Sequence, residues 1–150
     1  MSVAFSKRLL WGSYLAVAAL AVVFFVWQWH SVMAANRPLA NAAAQHFHDE
    51  FNHAEYQEIF DQADYGFTYD KTEAELAQAL MAIQTKVGTV NDSALVFIRI
   101  DRTTEGRTFI TAQYKTSFTR ADANETFTWV KFGNSVKLYR YRVAAGQNRR

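Results

Sequence analysis

The sequence predicts an α+β fold carried on a membrane anchor, and three observations lead there. An uncharged apolar run fills residues 9–29. Three helical patterns follow it, with apolar residues at three- and four-residue spacing. After Gly88 the pattern changes to four strands separated by short turns. Helices first and hairpins afterwards place about three helices on one face of a four-stranded antiparallel meander.

Residues 9–29 read LLWGSYLAVAALAVVFFVWQW, with Lys7 and Arg8 directly before them. At about 1.5 Å per residue such a helix spans roughly 31 Å, matching a hydrocarbon core of about 30 Å. Trp11, Tyr14, Trp27 and Trp29 lie towards its ends, where amphipathic rings sit among head groups. Gly12, Ala16, Ala18, Ala19 and Ala21 would let another helix approach closely. Lys7 and Arg8 outweigh the single Arg37 beyond the span, so the N-terminus is expected in the cytoplasm and the domain on the periplasmic side. A cleaved signal peptide is the rival reading, because Val32-Met33-Ala34 offers a cleavage site. The run is longer than a signal h-region and ends in aromatics, which favours a retained single-pass signal anchor. The expected organisation is a cytoplasmic start at 1–8, an anchor at 9–29, a connector at 30–37, a domain at 38–143 and a flexible tail at 144–150.

The first predicted helix starts at Pro38, which suits a first turn, and repeats Leu39, Ala43, Phe47 and Phe51 on one stripe. Asn52 and Glu55 resemble a capping box that opens a second helix, with Tyr56, Ile59, Phe60 and Ala63 inward and Gly66 as its stop. The third helix has a capping box at Thr72 and Glu75, acidic residues in its first turn, and Lys86 and Gly88 at its end. Its inward stripe is Leu76, Ala79, Leu80, Ile83 and Val87. Strands are expected at 93–102, 107–119, 125–132 and 135–143. In the second of them Ile110, Ala112, Tyr114 and Thr116 alternate against Phe109, Thr111, Gln113 and Lys115. The gaps carry turn chemistry at 104–106, 121–124 and Gly133-Asn134.

Beyond the anchor, 38–150 is long enough for one domain, and nine of the twelve Phe, six of the seven Tyr and one of the four Trp lie there to supply apolar bulk for its core. The absence of cysteine excludes disulfides, thiolate nucleophiles and cysteine-ligated zinc or iron–sulfur sites. The net charge of +2 conceals a split. Residues 40–80 hold nine carboxylates against Lys71 alone, whereas 131–150 hold six cations and no acid. That split could steer a charged partner, or simply reflect solvated faces of amphipathic elements. The cations form no dense tract, which argues against nucleic acid.

The segments FNHAEYQEIFDQAD, TKVGTV, ETFTW and LYRY together resemble a family of small membrane-anchored bacterial proteins, described only as a domain of unknown function with a cystatin-like or NTF2-like fold. The resemblance covers roughly 43–143 and rests on Asn52, Tyr56, Ile59, Gly88, Phe127, Trp129 and Tyr141. It implies a helix packed into a curved sheet and an anchored location. It implies no activity.

Four groups of residues are candidates for function. His46, Glu50 and His53 would share a face of one continuous helix, and imidazoles with a carboxylate can hold zinc. A break at Asn52 would part them, leaving an ordinary surface pair, and no metal or cofactor is assigned. Tyr56, Phe60, Tyr114, Trp129 and Tyr141 could line an aromatic cleft between helices and sheet, or simply fill the core. A carboxylate near Tyr114, Asp101 or Asp61, could serve acid–base chemistry, but no phosphate loop, nucleophile elbow or metalloprotease helix supports an enzyme. Lys131, Lys137, Arg140 and Arg142 could form a partner surface. Asn91-Asp92-Ser93 and Asn124-Glu125-Thr126 match glycosylation acceptors in expected turns. The expected function is a non-catalytic anchored accessory module that binds a membrane or envelope protein, with a tethered small-molecule binder as the alternative.

Overall fold

The computed structural model describes residues 4–145, and side chains for 17–28 and 34–144. The order of elements is α1 (Ala4–Asn52), α2 (Tyr56–Gln62), α3 (Tyr65–Thr68), α4 (Glu73–Val87), β1 (Val90–Arg102), β2 (Thr108–Phe118), β3 (Asp122–Phe132) and β4 (Ser135–Ala145). The four strands form one antiparallel sheet in the order β1-β2-β3-β4. The fold is therefore α+β with a four-stranded meander, as the sequence predicts. The chain divides into two compact units, 1–35 and 36–150.

In the first unit, α1 presents Val17, Leu20, Val22, Val23, Phe24, Phe25, Val26 and Trp27 to the exterior, each more than half exposed. Among the described residues, no helix is long and apolar enough to cross a membrane. The side chains of 9–16 and of Trp29, within the expected span, lie outside the described residues. So do 146–150 of the expected tail, whereas 144 and 145 extend β4.

The expected connector at 30–37 and helix start at Pro38 are not found, because α1 runs through Pro38 without interruption. Pro38 removes one N–H from the helix, and flanking alanines at 34, 35, 40, 42, 43 and 44 are the strongest helix formers. The buried stripe also shifts, to Ala40, Ala44, Phe47 and Phe51, with Leu39 and Ala43 half-buried. A strict four-residue spacing drifts about 40° per step around a 3.6-residue helix, which leaves Leu39 and Ala43 at the border.

Asn52 closes α1 and does not cap α2. Its amide donates to the Val90 carbonyl at 3.0 Å and accepts from the Val90 N–H at 2.7 Å, pinning the helix to the start of β1. Glu55 is the N-cap of α2 and makes no side-chain cap bond. The second helix ends at Gln62, and Gly66 lies inside α3, where a Cβ would collide with the Tyr139 ring. The capping box of α4 is as expected: Thr72 accepts from the Glu75 N–H at 3.3 Å, and Glu75 accepts from the Thr72 N–H at 2.7 Å. Gly88 ends that helix at φ 88°, a conformation that favours glycine, and a Cβ there would run into Thr119. Leu76, Leu80 and Val87 are buried, whereas Ala79 faces solvent.

The alternation in β2 sorts its side chains between two faces. Ile110, Ala112, Tyr114, Thr116 and Phe118 are buried against the helices, beside Ala123, Glu125, Phe127 and Trp129 of β3. The opposite face carries Thr111 and Thr128, whose hydroxyls meet at 3.2 Å. Bulges leave Val96 in β1 and Tyr139 in β4 outside the pairing register. Both acceptor asparagines, Asn91 and Asn124, stand in strands and not in the expected turns. The turn expected at 121–124 is displaced because β3 already begins at Asp122.

Candidate functional site

Period-two alternation in β3 sends Glu125 to the same face as Phe127 and Trp129, so its carboxylate enters the core with no exposed surface. On α1, His48 follows Phe47 and is 5% exposed. Its Nε2 stands 2.8 Å from Glu125 Oε2, the tautomer with Nε2–H being the one that donates to the carboxylate. Thr116, two positions beyond Tyr114 in β2, donates its hydroxyl to the same oxygen. Tyr141 donates its hydroxyl to Oε1 at 2.6 Å. Three donors from α1, β2 and β4 thus converge on one carboxylate of β3. A buried charge costs several kcal/mol in effective desolvation, which such charge-assisted bonds offset.

Tyr114 pairs with Glu125 across the β2–β3 register, yet its hydroxyl donates to Asn41 on α1 at 3.0 Å. Burial, and secondarily the nearby Glu125 charge, push the Tyr114 phenol up to about 12. The same causes, with the hydrogen bond to Glu125, push Tyr141 well above the usual phenol range. A folded pKa raised above the unfolded value means stability is fully present below about pH 10 and is lost as pH rises beyond it. Thermal unfolding followed from pH 8 to 12 is expected to show a falling midpoint above about pH 10, and Tyr141→Phe is expected to flatten that fall.

The five aromatic candidates do not share one cleft. Tyr56 is buried and donates to Gln84 Oε1 at 2.7 Å, while Phe60 is half-buried beside the core. Trp129 stacks on Phe127 with centroids 5.1 Å apart, and Tyr141 tilts against Phe127 at 4.9 Å. Tyr114 meets Phe127 edge-on at 5.8 Å. Core filling accounts for these rings. Trp129 also borders a cavity of about 250 Å³ between α1, α2 and the β3–β4 half of the sheet. Tyr114 borders a separate polar groove of about 370 Å³ with His48, Asn41 and Ser93.

The proposed carboxylates near Tyr114 are elsewhere. Asp101 is exposed, bonded to Arg99 at 2.8 Å and paired in register with Phe109, which puts it on the face opposite Tyr114. Asp61 is exposed on α2. The histidines diverge as well. His46 contacts Glu50 at 3.2 Å and Gln62 at 2.9 Å, His48 turns into the core, and His53 bonds the Asp49 carbonyl at 2.8 Å beyond the end of α1. Among the described residues, no group of three histidine or acidic side chains is placed to hold a metal ion.

The basic candidates split between two faces. Lys137, Arg140 and Arg142 pair in register with Val130, Thr128 and Thr126, which puts them on the face turned away from the helices. All three are exposed, and Arg140 lies over the Tyr139 ring at 6.0 Å. Lys115 of β2 is exposed on that same face. Lys131 belongs to the helix side, where its Nζ donates to Asn36 Oδ1 on α1 at 2.8 Å. It is not part of the basic surface.

Sequence reasoning missed Glu125 and His48 as a pair, and it missed Lys115. The signal for Glu125 was present: it occupies an inward position of the ETFTW alternation, where an apolar residue is expected. No protein-family model matches the chain, and comparison with curated proteins finds no match.

Proposed function

We propose that this protein is a non-catalytic accessory module of the cystatin-like or NTF2-like class, tethered to a bilayer by residues 9–29. Its domain contacts an acidic surface of a membrane or envelope protein. The observation that carries this reading is the outer face of the sheet. Lys137, Arg140 and Arg142 stand along β4 there, with the neutral Thr126 and Thr128 beside them and Lys115 further along. The helices place their buried residues on the other face, so these cations remain free to meet a partner.

The close packing of rings around Phe127 supports the same reading. These rings leave no cleft among themselves, and Glu125 receives three donors and has no exposed surface to offer a substrate. For the tether, the support is the exposed apolar run from Val17 to Trp27, which covers every side of that stretch of helix. A helix that is apolar all round requires a cover, and with residues 9–16 its length fits a bilayer. Lys7 and Arg8 before the run, by the positive-inside tendency, support a domain on the periplasmic side.

The charge-reversal variant Arg140→Glu/Arg142→Glu is expected to fold like the wild type, because both side chains are exposed. Purified full-length from its native membrane, it is expected to lose the partner, with affinity falling by at least about tenfold. Retention of the same partner in the same amount would remove this face as the contact.

A further inference from the structure

The cavity of about 250 Å³ between α1, α2 and the sheet lies on the helix side and is independent of the docking face. Ala43, Ile59, Trp129 and Leu138 supply apolar wall. At one side stand three polar groups, His46, Glu50 and Gln62. Gln62 Nε2 donates to Glu50 Oε1 at 2.7 Å, and His46 Nε2 approaches both Gln62 Oε1, at 2.9 Å, and Glu50 Oε1, at 3.2 Å. Both contacts to Glu50 end on Oε1. The carboxylate is thereby held in place, and among the described residues no donor meets Oε2. Glu50 itself is only 6% exposed, so water screens it little.

We infer that this cavity is a binding site for a small organic amine, its ammonium paired with Glu50 and its apolar body against Trp129 and Ile59. Size and charge choose this class. The volume is just below the range of about 300–1,000 Å³ typical of drug-sized ligands, so it suits a single ring or a short chain. After the larger effects of burial, His46 and Gln62, like-charged Glu58 and Glu55 also act on Glu50, and residues 40–80 hold nine carboxylates against one lysine. An anion would be repelled there. A cation is attracted by the same field, and its N–H groups match the free oxygen of Glu50.

The test uses the full-length protein in phosphatidylcholine nanodiscs, titrated with 2-phenylethylamine, 2-phenylethanol and phenylacetate. These share one apolar body and differ in charge. The readout is the NMR shift of the Trp129 indole N–H, assigned with Trp129→Phe. Saturable binding of the amine is expected, about tenfold or more tighter than the alcohol, with no binding of the acid. Glu50→Gln keeps an acceptor for Gln62 and His46 and is expected to reduce the amine to the level of the alcohol. Ala43→Leu, which fills the cavity from a half-buried position, is expected to abolish binding of both. Equal binding of all three compounds would overturn the inference, as would no saturable binding of any. So would an amine affinity unchanged in either variant. Melting of each variant, measured alongside, separates loss of the site from loss of the fold.

Discussion

Glu125→Ala is expected to destabilise the domain by about 3–5 kcal/mol, the cost of leaving three buried donors without their acceptor and a cavity in its place. The carboxylate has no exposed surface and receives His48, Thr116 and Tyr141. Its removal strands an imidazole, a hydroxyl and a phenol in an apolar layer, and leaves a cavity beside Phe127. Glu125→Gln is expected to cost less, about 1–3 kcal/mol, because the amide keeps one acceptor oxygen and His48 can change tautomer to accept from its NH₂. His48→Leu with Glu125→Leu is expected to recover part of the loss, since it removes the stranded imidazole while the Thr116 and Tyr141 hydroxyls stay without their acceptor. Denaturant unfolding of His48→Leu, Glu125→Leu and the double variant, analysed with the wild type as a double-mutant cycle, measures the coupling. A loss in the double variant equal to the sum of the two single losses would show that the pair is not coupled.

Phe127→Ala is expected to cost about 3–5 kcal/mol as well, by a different route. Phe127 is 0% exposed and its ring meets those of Phe47, Trp129 and Tyr141 within about 5 Å, joining α1 to β3 and β4. Truncation removes dispersion contacts on every side and leaves a void that the stacked Trp129 ring cannot fill without leaving its own place. Phe127→Leu is expected to retain more than half of the lost stability. Loss of less than about 1 kcal/mol in Phe127→Ala, read from the urea midpoint, would mean the core collapses around the gap and is not held by this ring.

The sheet was the most legible part of the sequence. Alternation in 107–119 places Ile110, Ala112, Tyr114 and Thr116 inward, and each is buried. Side chains of period two have only two faces to choose between, so one apolar pattern settles a whole strand. Thr72, Glu75 and Gly88 marked α4 for a comparable reason, because caps are local chemistry. Helix boundaries nearer the N-terminus were harder. Pro38 is compatible with a first turn and also, among alanines, with a helix that continues. Asn52 has the side chain of an N-cap, but its amide serves β1, 38 residues away, and no local pattern announces that bond.

The same limit governs the sites. Tyr114, Trp129 and Tyr141 were visible as aromatics, but whether rings enclose a cleft or pack together depends on contacts between elements. His48 looked like one of a cluster along α1, and only the tertiary fold pairs it with Glu125, 77 residues later. For the cations, sequence proximity grouped Lys131 with Lys137, Arg140 and Arg142. Strand parity separates them: the hairpin turn at Gly133-Asn134 and the bulge at Tyr139 return Lys137, Arg140 and Arg142 to the outer face and leave Lys131 facing α1.

The native mass of the full-length protein shows most directly whether the anchored domain works by binding a partner. The protein is solubilised from its own membrane in a mild detergent and its mass is measured with the companions still attached. A particle much larger than the 17.1 kDa chain is expected, with a companion in fixed ratio that is lost in Arg140→Glu/Arg142→Glu. A bare single chain in detergent, unchanged by that substitution, would contradict partner binding.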